Sequence, residues 1–290
     1  MQSWLVLVVA LGSLLIGAAP PSPPVRPVTL VGAGDIAWCD GDGDEATARL
    51  LDAIPGTVFT TGDNAYPNGT DAEFAHCFQP SWGRHKARMR PSIGNHDYHT
   101  RGAAPYFRYF GEAAGEPGKG YYTYALGGWR IVVLNSNCEL IGGCGEADPQ
   151  IVWLRRTLAQ SVARCSLAYW HHPRFSSGPH GPQTYMRATW HALVAAGVDV
   201  VLSGHDHVYE RFAPQDADGG LDTKRGIRQF TVGTGGRSHY AFRAVAPNSE
   251  VRRNGTFGVL RLALGIGRYE WEFIPEAGQT FRDRGVGDCH

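Results

Sequence analysis

The 290-residue sequence has no excess of charge of either sign, because 27 lysine and arginine residues are balanced by 27 aspartate and glutamate residues. It therefore lacks the net basic field that non-specific nucleic-acid binding requires, and we expect no nucleic-acid partner. The HExxH and HxHxDH motifs are also absent, which disfavours a zinc protease or a β-lactamase-like hydrolase. No CxxC pair occurs among the six cysteines, so they do not indicate a zinc site.

Lysine and arginine are also absent from residues 1–19, MQSWLVLVVALGSLLIGAA. This apolar run is typical of an export signal, and the proline-rich segment 20–27, PPSPPVRP, is typical of a linker. The alternatives are cleavage one or two residues away from Ala19, or an uncleaved anchor, because the run is near the lower length limit for spanning a bilayer. In either case we expect an exported protein, secreted or associated with the cell envelope.

The six cysteines fit that compartment, since an even number of cysteines in an exported chain suggests disulfides. Two of them flank the glycine-rich loop CELIGGC, which can close into a small ring. Six cysteines permit fifteen connectivities, and the sequence alone does not choose among them. The pairs we expect are Cys138 with Cys144, Cys39 with Cys77, and Cys165 with Cys289.

Short apolar runs after the linker, each bounded by glycine or polar turn residues, predict buried strands at 28–31, 58–61, 131–134, 167–170 and 198–202. Helical periodicity predicts helices between them at 45–54, 149–158 and 184–196, the last ending at Gly197. From Ile227 onward only strands are predicted, including a hairpin around 265–267. No repeat or linker interrupts 28–290, so we expect one α/β domain there.

Side chains that can bind metal ions end five segments of the chain, TLVGAGD, VFTTGD, SIGNH, LAYWHH and VLSGHDH. They are Asp35, Asp63, Asn95 with His96, His171 with His172, and His205 with His207. In open α/β sheets, ligands bind in the crevice outside the carboxyl ends of the strands, so these side chains should converge on one edge. Each motif alone has an explanation in turn chemistry or packing, but five together are hard to obtain that way. Mixed carboxylate, amide and imidazole donors suit a pair of divalent or trivalent ions.

The motifs occur in a characteristic order: GD at 34–35, GDxxY at 62–66, GNHD at 94–97, a histidine before x-Pro at 171, and GHxH at 204–207. This set resembles the calcineurin-like metallophosphoesterases and, within them, the purple acid phosphatases of the bacterial exported type. The resemblance extends over about residues 28–215. It implies an α/β fold, the four-layer αββα sandwich with two mixed β-sheets, for a catalytic domain at 28–290.

The resemblance also implies a dinuclear metal centre with seven ligands. It assigns Asp35, Asp63, Tyr66 and His207 to the first ion, and Asp63, Asn95, His171 and His205 to the second, with Asp63 shared. Hard oxygen donors favour iron(III) at the first position, and the second suits a divalent ion such as zinc, iron or manganese. Tyr66 is the most informative of these residues. With an ordinary pKa near 10, its phenol ionises at neutral pH only beside a strongly charged ion.

Two further histidines receive catalytic roles from the resemblance. His96 is expected to protonate the leaving alkoxide or hold the phosphoryl group, the alternative being a hydrogen bond that only orients a ligand. His180 lies nine residues after His171, the offset of a phosphate-contacting histidine in the family. Packing is a sufficient reason for His172. We interpret four histidines that belong to no motif as surface or packing residues: His85, His99, His191 and His290.

The implied reaction is hydrolysis of phosphate monoesters by metal-bound hydroxide with histidine acid assistance, as in acid phosphatases. The ions would neutralise the ester and lower the pKa of a bound water from about 15.7 towards 7. A phosphodiesterase using the same centre is one alternative. An inactive exported binding module is another, although the seven competent ligand residues disfavour it. The expected partner is a small phosphate ester, with membrane contact only through an uncleaved N-terminal segment and the oligomeric state left open.

Overall fold

The computed structural model describes residues 1, 2, 4 and 26–290. Nearly all of the predicted export signal and most of the linker therefore lie outside the described residues. Within the part of the chain that is described, no helix has the length and apolar character needed to cross a membrane.

The strands of the described residues are numbered in chain order. They are β1 (Val28–Ala33), β2 (Ala37–Trp38), β3 (Thr57–Thr61), β4 (Ala65–Tyr66), β5 (Met89–Ser92), β6 (Tyr122–Leu126), β7 (Trp129–Val133), β8 (Cys165–Tyr169), β9 (Val200–Ser203), β10 (Tyr209–Phe212), β11 (Arg228–Val232), β12 (Ser249–Arg253), β13 (Gly258–Gly265), β14 (Arg268–Pro275) and β15 (Asp283–Asp288).

The α-helices are α1 (Gly43–Ala53), α2 (Asp71–Glu73), α3 (Ala104–Phe110), α4 (Pro149–Ala159) and α5 (Arg187–Ala195). The short helix α2 begins with a capping box between Thr70 and Glu73 and continues as a π-helical turn, Phe74–Phe78. Short 3₁₀ helices lie at Trp82–Arg88, Arg101–Ala103, Gly111–Ala114, Cys138–Leu140 and Thr184–Met186.

Two large mixed sheets form the centre of the molecule. The six-stranded sheet has the order β15-β14-β13-β1-β3-β5, with β1, β3 and β5 parallel and β13 antiparallel to β1. The seven-stranded sheet has the order β12-β10-β11-β9-β8-β7-β6, with β7, β8, β9 and β11 parallel. A small third sheet pairs β2 with β4. All parallel strands therefore have their carboxyl ends near one edge of the sandwich.

The two large sheets pack face to face through aromatic side chains. Phe59 lies 5.8 Å from Tyr169, and Phe230 lies 5.7 Å from Trp271, measured between ring centres. The Tyr169 hydroxyl donates to the Arg90 carbonyl oxygen across the same interface at 2.7 Å. Each pair joins one sheet to the other, so the main core lies between the sheets.

Helices cover the outer faces of both sheets. Ala48 and Leu51 of α1 belong to the main core with the six-stranded sheet. A second cluster contains Leu154 of α4 and Leu193 of α5, which pack with Ala168 and other residues of the seven-stranded sheet. The layer order is therefore helix, sheet, sheet, helix, which confirms the expected αββα sandwich.

The predicted strands and hairpin occur with boundaries shifted by one or two residues. The predicted helix at 184–196 is partly wrong, because residues Thr184–Met186 form a 3₁₀ turn before α5. Its predicted end is confirmed: Gly197 has a φ of +68°, and the Val198 N–H donates to the Leu193 carbonyl, as in a Schellman motif.

Three disulfides join all six cysteines in the pairs that we expected. Cys39–Cys77 ties the residue after β2 to the π-helical turn, with a Cα–Cα distance of 4.9 Å. Cys138–Cys144 closes the glycine-rich loop at a Cα–Cα distance of 5.2 Å. The third, Cys165–Cys289, spans 5.5 Å between Cα atoms and fastens the end of the chain to the beginning of β8.

Candidate metal centre

Five loops bring the predicted ligand residues to one edge of the sandwich. Each loop directly follows a parallel strand. Three of these strands, β1, β3 and β5, belong to the six-stranded sheet, and the other two, β8 and β9, belong to the seven-stranded sheet. Because the sheets pack face to face, loops from both meet at the carboxyl ends of these strands. Tyr66 joins them from the short strand β4.

Three of the converging residues have a left-handed backbone that side chains other than glycine rarely adopt. The φ angles are +60° at Asp35, +51° at Asp63 and +69° at His205. Each lies two residues beyond the end of its strand. Such conformations persist where the surrounding structure fixes them, and they concentrate at functional sites.

Glycine precedes these ligand candidates because the loops approach one another too closely for a side chain. A Cβ atom at Gly94 would overlap the Oδ1 atom and the backbone nitrogen of Asp63. A Cβ atom at Gly204 would lie 2.6 Å from Asp35 Oδ2. The glycines of the sequence motifs therefore permit the close contact of the loops that carry the carboxylates.

The first group of candidate ligands surrounds the hydroxyl of Tyr66. Its oxygen lies 2.9 Å from Asp35 Oδ1, 2.8 Å from Asp63 Oδ2 and 3.2 Å from His207 Nε2. His207 Nε2 is also 3.3 Å from Asp35 Oδ1. Four donor atoms from three segments of the chain thus occupy a space about as large as the coordination sphere of one ion.

The second group surrounds the Nε2 atom of His171. This atom lies 3.2 Å from Asp63 Oδ2, 3.0 Å from Asn95 Oδ1 and 3.2 Å from His205 Nδ1. Asp63 Oδ2 is therefore the atom common to both groups. A carboxylate in this position is suited to bridging two ions, which in two-metal sites lie about 3.5–4 Å apart.

Hydrogen bonds outside the two groups orient the imidazole rings. The Nδ1 atom of His171 lies 2.8 Å from the Thr61 carbonyl oxygen, which can only accept, so Nδ1 carries the proton in that bond. Nδ1 of His207 lies 2.7 Å from Ser238 Oγ. In both rings Nε2 faces the candidate site, the arrangement typical of metal-binding histidines.

Within residues 26–290, the buried carboxylates of the site have no lysine or arginine partner. Asp35 is 0% exposed and Asp63 is 1% exposed. Within residues 26–290, their ion pairs are formed with histidines alone. Burial raises the pKa of Asp63, but His171 and the other nearby imidazoles outweigh burial and hold that pKa well below its usual range.

Tyr66 shows most clearly that the donor set fits a cation. Burial and the charges of Asp35 and Asp63 raise the pKa of Tyr66 well above its ordinary value. Its single O–H proton faces two carboxylate oxygens, so hydrogen-bond acceptors outnumber the proton. A highly charged ion would relieve this excess of electron-rich atoms by replacing the proton, and oxygen with imidazole donors suit such an ion.

His96 lies at the edge of the first group and is 30% exposed. Its backbone N–H donates to Asp63 Oδ1 at 2.8 Å, and its ring Nδ1 lies 2.7 Å from the Pro67 carbonyl oxygen. The Nε2 atom is 3.9 Å from Asp63 Oδ2. His96 therefore both orients the shared carboxylate and presents a ring nitrogen to the open side of the site.

His180 lies on the other side of the site with its side chain 40% exposed. Its Nδ1 atom is 2.9 Å from Oδ1 of Asp206, a fully buried carboxylate, and its ring centre is 4.2 Å from that of His205. A carboxylate that holds Nδ1–H fixes the ring and leaves Nε2 directed away from Asp206.

The remaining histidines have varied surroundings. His172 is buried, bonds Ser136 through Nδ1 at 2.8 Å and packs 4.4 Å from the His205 ring, measured between ring centres. Burial and neighbouring His171 lower the pKa of His172 to about 3. The ring of His99 lies 4.5 Å from that of His96. His85 contacts α1, and His191 and His290 lie near aspartates away from the site.

Two residues near the first group were missed by the sequence reasoning. Arg237 places its guanidinium carbon 3.8 Å from the ring centre of Trp38 and 5.3 Å from that of Tyr66. Tyr240 stacks on His207 at 4.0 Å between ring centres. Both follow β11 in the segment GTGGRSHY, which matches none of the motifs. Within the described residues the Arg237 side chain has no hydrogen-bond or ion-pair partner.

Comparisons with known proteins agree with this geometry. Residues 28–209 match the family model described as calcineurin-like phosphoesterase. Purple acid phosphatase 15 of Arabidopsis thaliana is 25% identical over 232 residues, which cover 66% of this chain and 42% of the relative. The chain thus spans about half the length of the curated relatives it matches.

Solved structures support the fold assignment. The purple acid phosphatase PPD1 from yellow lupin seeds superposes with a TM-score of 0.72 at 18% identity, covering 91% of this chain and 54% of that chain. GAP50, described as the anchor in the inner membrane complex of Plasmodium, superposes with a TM-score of 0.71 at 14% identity, covering 91% of this chain and 90% of that chain. At these identities the likeness extends to the fold alone.

Proposed function

The chain belongs to the calcineurin-like phosphoesterase family, and from this we propose that it is an acid phosphatase that hydrolyses phosphate monoesters with two metal ions. The observation that carries the proposal is the position of Asp63 Oδ2, which is 2.8 Å from Tyr66 Oη and 3.2 Å from His171 Nε2. One carboxylate oxygen thus lies close to both donor groups, a position suited to holding a pair of ions.

The first group would hold iron(III), because it offers two carboxylates and a phenol oxygen with a single imidazole. The second group would hold a divalent ion, zinc, iron or manganese, on Asn95, His171 and His205 with the shared Asp63. When bound, the ions supply positive charge for the phosphoryl oxygens and lower the pKa of a water molecule at the site.

The remaining residues at the edge of the site handle the ester itself. His96 Nε2 is placed to donate a proton to the departing alkoxide, while the Pro67 carbonyl holds its Nδ1. His180, held by Asp206, would donate to a phosphoryl oxygen. The guanidinium of Arg237 would bind a second phosphoryl oxygen, since it is stacked on Trp38 and has no carboxylate to neutralise it in the described part of the chain.

Metal analysis combined with substrate comparison tests this proposal. The purified protein is expected to contain two ions per chain and to hydrolyse p-nitrophenyl phosphate faster than bis-p-nitrophenyl phosphate. Asp63→Asn should lose both bound metal and activity, whereas Asp71→Asn, at an exposed ion pair with Arg108, should change neither. A turnover preference for the diester would replace the monoesterase with a phosphodiesterase. Two bound ions without turnover of either ester would favour a binding module on this fold.

The role of Arg237 has a separate test. A charge-assisted hydrogen bond contributes about 1.5–3 kcal/mol, so Arg237→Gln should weaken inhibition by inorganic phosphate by roughly 10- to 100-fold. Metal content should not change, because the side chain is not among the candidate ligands. Unchanged phosphate inhibition would remove Arg237 from the substrate site and leave the rest of the proposal intact.

We also propose that the segment at 1–19 directs export and that the linker at 20–27 precedes the catalytic domain at 28–290. The three disulfides support export, because they persist in oxidising compartments. N-terminal sequencing of protein recovered from the medium and from the cell envelope tests the proposal. A start near residue 20 in the medium would indicate cleavage, and an intact start in the envelope fraction would indicate the uncleaved anchor. Recovery only from inside the cell would contradict export.

A further inference from the structure

A cavity of about 340 Å³ lies beside the second group of candidate ligands. Its wall contains Ser136, Asn137, Glu139, Leu140, His172 and Tyr185, together with Cys138 of the disulfide to Cys144. The volume is within the range of small-molecule sites, about 300–1,000 Å³.

A single imidazole ring, that of His172, separates the cavity from the candidate metal site. The ring of His172 lines the cavity on one side and lies 4.4 Å from the His205 ring and 4.8 Å from the His171 ring on the other, between ring centres. The cavity and the candidate metal site are therefore adjacent, with the His172 ring between them.

The wall of the cavity is largely apolar. Leu140 is 56% exposed and Tyr185 is 43% exposed, so both side chains present apolar surface at the cavity. Tyr185 also lies 6.2 Å from His172 between ring centres, so two ring systems border the same space. These side chains would lose contact with water if an apolar group entered the cavity.

The charged residues that line the cavity are all negative. Glu139 is the only carboxylate among the lining residues, and no lysine or arginine is among them. An anionic group in the cavity would face this carboxylate without a compensating cation. The lining therefore disfavours esters whose alcohol carries a carboxylate or a second phosphate.

The wall is also fixed in place. Ser136 Oγ accepts from the His172 backbone N–H at 3.0 Å and lies 2.8 Å from His172 Nδ1. Leu140 and Glu139 belong to the 3₁₀ helix Cys138–Leu140, whose first residue is in the Cys138–Cys144 disulfide. A cavity shaped before binding costs less ordering entropy when it is filled.

We propose that this cavity binds the alcohol portion of the phosphate ester and selects uncharged aromatic or otherwise apolar alcohols over anionic ones. The inference rests on the proposed phosphatase function and names its substrate class. The phosphate would be held at the metal site, and the ring of the alcohol would lie between His172, Tyr185 and Leu140.

The proposal can be tested with two alkyl esters whose leaving alcohols are similarly acidic, so that a difference in rate does not come from the leaving group. 2-Phenylethyl phosphate and ethyl phosphate differ by the ring, and their alcohols have similar pKa values. We expect the wild-type metal-loaded protein to prefer the phenylethyl ester by about 10-fold or more in kcat/KM, the effect of filling an apolar pocket. Tyr185→Ser should abolish most of this preference by raising KM for the phenylethyl ester.

Val152→Ser is the matched control, because Val152 is an exposed apolar residue on α4, 53% exposed and outside the cavity wall. It should leave the preference unchanged. Glu139→Gln should improve kcat/KM for phosphoglycolate, an anionic ester, several-fold relative to ethyl phosphate. Equal use of the two alkyl esters, or a preference that survives Tyr185→Ser, would overturn the cavity proposal alone. If neither ester is turned over although both ions are bound, the proposed function fails instead.

Discussion

Replacing Tyr66 with phenylalanine tests two separate roles of the Tyr66 oxygen, its contribution to the stability of the ion-free protein and its role as a metal ligand. The ring is 2% exposed, and phenylalanine keeps it, so the change opens no cavity. The hydroxyl is lost, with its contacts of 2.9 Å to Asp35 and 2.8 Å to Asp63. Two buried carboxylates then lose the donor that they share.

The expected loss of stability in the ion-free protein follows from the charge of those partners. A hydrogen bond to a charged group contributes about 1.5–3 kcal/mol, and Tyr66→Phe should lower the free energy of unfolding by about this amount. Tyr106→Phe is a matched control, because Tyr106 is 0% exposed and its hydroxyl donates to the neutral Pro91 carbonyl at 3.2 Å. The control should cost only about 0.5–1.5 kcal/mol.

Denaturant unfolding of both variants after removal of metal, with the disulfides intact, measures this difference. The pKa of Tyr66 is raised well above its ordinary value by burial and the two carboxylates, so the phenol keeps its proton between pH 5 and 8 and the effect should be constant there. A loss no larger than that of Tyr106→Phe would refute the reasoning about the buried carboxylates.

The same variant reloaded with iron tests the ligand assignment. The iron-loaded wild-type protein should show a visible tyrosinate-to-iron charge-transfer band, and Tyr66→Phe should lose it while Tyr106→Phe keeps it. A band that persists in Tyr66→Phe would refute Tyr66 as an iron ligand without affecting the proposed hydrolysis.

Three other perturbations have defined outcomes. Burial lowers the pKa of His85, so the folded state favours the neutral ring, and the free energy of unfolding should fall as the pH falls below the unfolded pKa of about 6.5. His85→Gln should reduce the change in the denaturation midpoint between pH 7 and pH 5. His191→Gln should leave that change as it is in the wild-type protein. Gly94→Ala should lower both the melting temperature and the metal content, because its Cβ would displace Asp63. Cys165→Ser with Cys289→Ser should lower the free energy of unfolding by about 2–5 kcal/mol in urea titrations, and an unchanged midpoint would contradict a structural role for this disulfide.

The potential ligands that follow the apolar runs were sufficient to locate the candidate site, because the carboxyl ends of parallel strands lie at the same edge of a sheet. A buried parallel strand reads as an apolar run, and the residue that follows it must lie at the carboxyl edge of the sheet. Asp35, Asp63 and His171 could therefore be placed together from the sequence. Arg237 could not, because its position depends on stacking against Trp38, which is distant in sequence and belongs to no pattern.

Among the strands that were not predicted from the sequence, β12 and β15 escaped for a different physical reason. β12 and β15 lie at the outer ends of the two large sheets, where one side of the strand is unpaired. Their sequences, SEVRR and DRGVGD, carry charge and glycine and lack the apolar run of a central strand. Edge strands are commonly short and charged because this prevents pairing with other chains, and the same property conceals them in a sequence.

The wide spacing of the loops has a consequence for how the protein would acquire its ions. His205 and Asp35, whose backbone and side chain meet at 2.9 Å, are 170 residues apart in the chain. An unfolded polypeptide cannot gather donors so distant, so no site exists until both sheets have docked. Metal binding would therefore follow folding. The metals in the compartment where the protein folds, rather than those in the compartment where it is synthesised, would determine which ions the mature protein carries.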